Sequence, residues 1–499
     1  MTFALSLFVS IFVNYSLFDL CPMAKLLDFI LYRLPFYFLL PFVYFFDTAF
    51  DDTAKSIHSS VPSYPSEAVV GLISNAYSNL DAYSMLDESI ERFVSKWDLA
   101  GASIAIAKDG NLVYAKGFGY ANKETGEAMQ PYHMLRVASV SKLITAAAIM
   151  KLVEKGQIEL NSKVFGKHGI LNEPVYLQYI DSRVEDITVK QLLTHSAGWT
   201  TRWGDHLFMH ESIARQTGKS LPITSEDIIC FALSKRLHFT PGTYSSYNNL
   251  GYVILEKVIE HKTGRPYEAF VKDEIFKPLD IYDAFIAQNF DSLRYPLEVR
   301  YYEVPESELV PAYDGDQHLF HKSRGGNDIT SLGAAGGWVI SSVSLLKFIL
   351  DIDAENEHGI ILSKKSRLQM EQVDPGIQPL GWRWISHNGD KGRTGSFAGT
   401  SALVLDSKDG FTFVFLTNCS PWNGAKFPFE VSKLMRMATQ RVTSWPNLNL
   451  FNPESIYPRV NLPVMADFYT PPRNTGLSKS LKEILTENYY SSTREVFYF

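Results

Sequence analysis

The stretch RVASVSKLITAAAIMKLVEKGQI, residues 136–158, sets two serines and a lysine at the head of an almost wholly apolar run. The pattern predicts a buried helix of about four turns that stops near Gly156. A buried ammonium is costly unless it is paired or neutralised, so Lys142 either snorkels to water or belongs to a chemical site. Ser139 and Lys142 are three residues apart and share one helix face. Ser139 also stands where the loop PYHMLRVA gives way to the helical pattern, so its N–H is a first-turn donor that can face a substrate oxygen. A serine hydroxyl needs a base to take its proton. A lysine desolvated by the apolar helix can have a lowered pKa and act as that base, or relay the proton. The bland alternative is that Ser139 merely caps the helix.

Outward from this helix the pattern changes from strands to helices and back. Before it, a helical stripe runs over residues 85–97, and ASIAIAKDGNLVYAKGFG (residues 102–119) predicts a hairpin turning at Lys108-Asp109-Gly110-Asn111. After it, residues 157–240 read as helices and loops, including ITVKQLLTHSAGW. PGTYSSYNNLGYVILEKVIEHKTGRP (residues 241–266) reads as turn, loop and helix, stopped by Gly264 with Pro266 beyond. A further helix is predicted at SSVSLLKFILDI, and GWRWISH, GRTGSFAGTSALVLD and GFTFVFLTN follow as strands. A last helix covers about 428–442. These runs predict an α+β fold: one antiparallel sheet of about five strands, built from both ends of the domain and flanked by helices, with a mostly helical second lobe between. The domain is expected over residues 84–443, after a linker at 51–83; the extension at 444–499 has no assigned place.

Composition bounds the function. With 46% apolar and 20% charged residues the chain is an ordinary globular protein, and a net charge of −7 without any basic block argues against a nucleic-acid binder. Cys21, Cys230 and Cys419 allow at most one internal bridge. Residues 2–18 are apolar and nearly uncharged, and LPFYFLLPFVYFF (residues 34–46) follows Lys25 and Arg33. Residues 1–50 therefore read as a signal or membrane-anchor region, although Asp28, Arg33, Pro35 and Pro41 break a clean second span. The expectation is a secreted or membrane-associated protein, and the sequon NCS at Asn418 is compatible with a lumenal site.

Two more motifs accompany S-x-x-K, in order. YNN supplies Tyr247 and Asn249, and RTGS supplies Arg393, Thr394, Gly395 and Ser396 among predicted strands. With LLTHSAG and LGWRW, the set resembles the serine β-lactamase and penicillin-binding-protein superfamily, nearest to its branch of class C β-lactamases, esterases and D-aminopeptidases. The likeness covers about residues 87–442 and implies a β-lactamase/transpeptidase-like fold. It implies acyl transfer, with Ser139 as nucleophile and Lys142 and Tyr247 as proton carriers. Asn249 would hold Lys142 and a substrate amide, its bland alternative being a helix N-cap. The Ser396 N–H would complete an oxyanion hole, and Gly395 would leave room for substrate. Arg393 stands where the family has Lys or His; it could grip a carboxylate through two hydrogen bonds but cannot shuttle a proton.

The literal KTG of residues 262–264 ends a helix and reads as structural. No cofactor or metal is expected: His206 and His210 are spaced i, i+4 without the H-E-x-x-H order, and His195 reads as structural. The implied partner is a small molecule or short peptide, cleaved at an ester or amide bond. The rival reading is a catalytically silent ligand-binding or assembly protein that kept the pocket.

Overall fold

The computed structural model describes residues 73–452. The apolar region at 1–50 lies outside the described residues, as does most of the expected linker and of the C-terminal extension. Among the described residues no helix is long and apolar enough to cross a membrane.

The strands are β1 (Gly101–Lys108), β2 (Asn111–Asn122), β3 (Glu127–Ala128), β4 (Met134–Arg136), β5 (Ala284–Ile286), β6 (Val310–Pro311), β7 (Leu319–Phe320), β8 (Trp338–Ser341), β9 (Trp384–Ile385), β10 (Lys391–Phe397), β11 (Thr400–Asp406) and β12 (Phe411–Thr417). The main helices are α1 (Ser84–Lys96), α2 (Ser141–Glu154), α3 (Leu250–Thr263), α4 (Ser342–Ile352) and α5 (Phe427–Thr439). The principal sheet has seven strands in the order β3-β2-β1-β12-β11-β10-β9. Antiparallel pairing of β1 with β12, Ala105 opposite Val414, joins the two ends of the domain.

Five strands were expected, and two features account for the difference. The run of residues 392–406 is a hairpin rather than one strand, because Gly399 takes φ +72 and turns Phe397 back onto Thr400. The short β3 then adds an edge beside β2. A second sheet, β4-β8-β5, carries the chain into α2.

Both faces of the principal sheet are covered, which is why β1 is buried at almost every position instead of alternating. Ile104, Ile106, Phe413 and Phe415 pack with α1 and α5 in one cluster, whereas Ala105, Ala107, Val404 and Val414 join the larger core of α2, α3 and α4. The expected linker is partly structure. Short 3₁₀ turns at Asn75–Ser78 and Asp81–Tyr83 lie on the sheet, and fully buried Tyr83 donates its hydroxyl to the Val113 carbonyl at 2.5 Å. The sequon is closed to modification: Asn418 is fully buried, and its amide donates to the carbonyls of Arg300 (2.8 Å) and Tyr120 (3.1 Å).

Candidate active site

The site begins where β4 becomes helix. Arg136, the last residue of β4, is buried and donates to the carbonyls of Ser323 (2.6 Å) and Gln288 (3.0 Å), its guanidinium 4.1 Å from the Tyr301 ring centroid. Two residues on, Ala138 takes φ +46, a left-handed conformation that costs an L-residue about 1–2 kcal/mol. This twist opens a 3₁₀ turn, Ala138–Val140, before α2 starts at Ser141. Ser139 therefore sits ahead of the α-helix and does not cap it. It is half-buried, and its Oγ lies 2.6 Å from the Tyr247 hydroxyl and 3.2 Å from Lys142 Nζ.

Lys142 is fully buried and does not snorkel. It donates to Asn249 Oδ1 at 2.8 Å and to the Ala335 carbonyl at 2.5 Å. Burial lowers its pKa to about 8, and Arg393 adds to the lowering while Tyr247 opposes it. Burial alone would raise the Tyr247 phenol, but the charges of Lys142 and Arg393 outweigh it and bring the pKa down to about 8. The Asn249 side chain does not cap α3. Its Oδ1 accepts from Lys142 while Nδ2 donates to Asp205 at 2.8 Å, and an acceptor-only carboxylate there fixes which way the amide points.

The LLTHSAG segment holds the YNN loop in place. His195 takes φ +58, and its carbonyl accepts from the Ser246 N–H at 2.8 Å. Its ring packs 4.6 Å from the Tyr247 ring, and burial with three nearby cations pushes its pKa well down, so it stays neutral. Gly264 closes α3 at φ +65, away from the site, as expected of the literal KTG.

β10 forms the opposite wall. β9 pairs only with Lys391 and Gly392, so the rest of that β10 edge is open. The Gly392 carbonyl accepts from Arg383 N–H on this side, and antiparallel alternation points the Ser396 N–H the same way. Two expectations change here. Gly395 makes room for protein backbone: a Cβ there would lie 2.2 Å from the Val137 carbonyl and 2.9 Å from the Ser139 nitrogen. Arg393 is instead turned onto the main chain, its Nε donating to the Ser139 carbonyl and its Nη1 to the Gly381 carbonyl, both at 2.9 Å, and its side chain is buried. Only Nη2 has no partner.

Ser139, Tyr247, Asn249, Arg393, Thr394 and Ser396 line one cleft of about 250 Å³, together with Phe208, Leu332, Ala335, Gly336, Arg383 and Phe397. The exposed Arg383 guanidinium lies 5.0 Å from the Tyr247 ring centroid, and among the described residues no acidic side chain lines the cleft. Sequence reasoning missed Arg383, Asp205 and Ala335. Arg383 lay within LGWRW, and Asp205 could have been found as the N-cap of the turn His206–Phe208. His206 belongs to that turn and His210 opens a separate helix, so the pair does not share a helix face.

A Beta-lactamase family model matches residues 86–428. The chain belongs to the Beta-lactamase family. Among relatives of this family member, Protein flp of Staphylococcus aureus (strain MW2) is 24% identical over 344 residues, 68% of this chain and 63% of that protein. The chain thus spans under two thirds of the first curated relative it matches. The octameric penicillin-binding protein homologue from Pyrococcus abyssi superposes with a TM-score of 0.54 at 25% identity, over 72% of this chain and 78% of its own. The D-amino acid amidase from Ochrobactrum anthropi SV3 gives 0.56 at 20% identity, over 73% and 99%. The fold is β-lactamase/transpeptidase-like, as the motifs implied.

Proposed function

We propose that this Beta-lactamase-family serine hydrolase cleaves a small ester, amide or peptide bond through an acyl-enzyme on Ser139. The observation that carries the reading is the convergence of three groups at the cleft floor: Ser139 Oγ at 2.6 Å from the Tyr247 hydroxyl and 3.2 Å from Lys142 Nζ. Tyr247, as phenolate beside the Lys142 ammonium, takes the serine proton while Oγ attacks the substrate carbonyl. The oxyanion forms against the N–H groups of Ser139 and Ser396. Tyr247 then returns the proton to the leaving group, the carbonyl reforms, and the acyl group stays on Oγ. Water enters, loses a proton to Tyr247, and the same steps in reverse release the acid. Asn249 keeps Lys142 in place and has one amide hydrogen left for a substrate amide.

The substrate is expected to carry a negative charge near the scissile bond, because the exposed Arg383 meets no acid among the described residues that line the cleft. A fluorophosphonate should label Ser139 and fail to label Ser139→Ala. Turnover of p-nitrophenyl esters should fall at least about 100-fold in Lys142→Ala. Equal rates in the folded variant would instead favour the silent binding protein.

A further inference from the structure

We propose that Glu256 is a positioning residue of this site: its carboxyl fixes the 333–336 turn, whose Ala335 carbonyl holds Lys142 beside Ser139. The inference rests on the acyl-transfer reading, and it concerns a residue that lines neither cleft nor wall.

The geometry runs through one short turn. Glu256 Oε2 accepts the Ala334 N–H at 2.9 Å. From the other side, Thr145 of α2 donates its hydroxyl to the Ala334 carbonyl at 2.7 Å. Thr145 is itself fixed by Tyr267, whose hydroxyl lies 2.8 Å away and accepts from the Trp338 indole at 2.9 Å. The turn is thus clamped at both polar atoms of one residue, by the helix that follows Tyr247 and by the helix that carries Lys142. The next carbonyl along, Ala335, is the one that accepts from Lys142 Nζ. Gly333 shows how closely the carboxyl is seated: its φ is +29, and a Cβ there would lie 2.1 Å from Glu256 Oε2. A shift of this turn by about 1 Å would release Lys142 from one of its three acceptors and leave Asn249 and Ser139 to hold it.

Stability does not explain an acid here. Burial raises the Glu256 carboxyl to about 7, against the lowering from the Ala334 N–H. Lys257 and Glu260 face it from its own helix and Tyr267 from the next, while the turn offers no charge. A carboxyl raised above its unfolded value favours the fold least at high pH: stability falls as pH rises through the window from the ordinary carboxylate range to about 7. Glutamine would make the same acceptor bond without that loss.

The test uses the full chain with Glu256→Met and Glu256→Gln. In Glu256→Met, kcat for a p-nitrophenyl ester should fall about 10- to 100-fold with KM within about threefold, and Glu256→Gln should restore it. A second readout is independent of turnover. Tyr247 is the described tyrosine whose pKa is lowered, so tyrosinate absorbance should show a step near pH 8 that vanishes in Tyr247→Phe. That step should move upward in Glu256→Met, where Lys142 drifts, and stay in Glu256→Gln. Should the Met variant fail to fold, Thr145→Val removes the opposite clamp and should produce the same shift. An unshifted titration with wild-type kcat in folded Glu256→Met, or a loss confined to KM, would overturn the proposal. A wild type that hydrolyses nothing yet shows the shift would overturn the acyl-transfer reading and keep this one.

Discussion

Lys142 and Tyr247 are both brought down to about 8, but by different causes. Burial pulls an ammonium down, and neighbouring cations pull a buried phenol down. The two share one working state, in which the pair has lost a single proton. With none lost there is no base, and with both lost the phenolate no longer has the Lys142 ammonium beside it. The profile of kcat/KM against pH is therefore expected to be bell-shaped with its maximum near pH 8, its limbs belonging to the pair and not to either residue. Tyr247→Phe should lower kcat/KM at least about 100-fold across the whole profile, and a wild-type rate unchanged between about pH 6 and about pH 10 would exclude this pair as the proton carrier. A second residue-scale prediction concerns Asn418, whose buried amide donates to three main-chain carbonyls. Asn418→Asp replaces those donors with an acceptor and should cost about 2–4 kcal/mol, read as a lower urea midpoint. A midpoint equal to the wild type would mean that this amide is not what joins β12 to the 120 and 300 segments.

At the scale of elements, β10 and the nucleophile turn are fitted backbone to backbone. Gly395 faces Val137 and Ser139, and Arg393 reaches past it to the Ser139 carbonyl. Gly395→Ala would drive a methyl into the turn that aims the serine. A displacement of about 1 Å there should lower fluorophosphonate labelling at least about 100-fold while the far-UV spectrum stays native. Labelling at the wild-type rate would show that the strand and the turn move apart freely. Much of this was legible in the sequence. S-x-x-K, Y-x-N and the strand triplet each name a residue type at a fixed place on an element, so Ser139, Lys142, Tyr247 and Asn249 could be read before any coordinates. What was not legible depends on tertiary approach. The side a Cβ would face at Gly395, the carbonyls that absorb Arg393 and the entry of Arg383 into the cleft have no one-dimensional signal. The hairpin at residues 392–406 was missed for a local reason: Ala398-Gly399 carries no polar residue to mark the turn between two apolar strands.

For the whole molecule, the deciding feature is that the sheet is closed by strands from opposite ends of the domain. β1 lies between β2 and β12, so the covering helices α1 and α5 also come from opposite ends and share one apolar cluster. The chain continues to add to that closure after α5. Trp445 packs 5.8 Å from the Tyr83 ring and 5.3 Å from Phe411, and Leu450 is buried with its N–H donating to the Leu112 carbonyl at 2.8 Å. The side chain of Asn449 accepts from the Leu112 N–H at 3.2 Å, so both polar atoms of Leu112 are taken by this segment. The stretch 444–452 thus belongs to the domain, although composition alone left it unplaced. Truncation after residue 443 uncovers Leu450 and the Trp445 contacts and leaves the Leu112 backbone without partners. At about 1.5–3 kcal/mol for a buried leucine, plus about 1 kcal/mol for each lost hydrogen bond, the loss should be about 3–5 kcal/mol. The truncated protein should keep fluorophosphonate labelling of Ser139 below its transition, because these contacts sit at the hairpin end of β2, away from the cleft. It should unfold at a clearly lower urea concentration, and an unchanged midpoint would place the domain boundary at 443 after all.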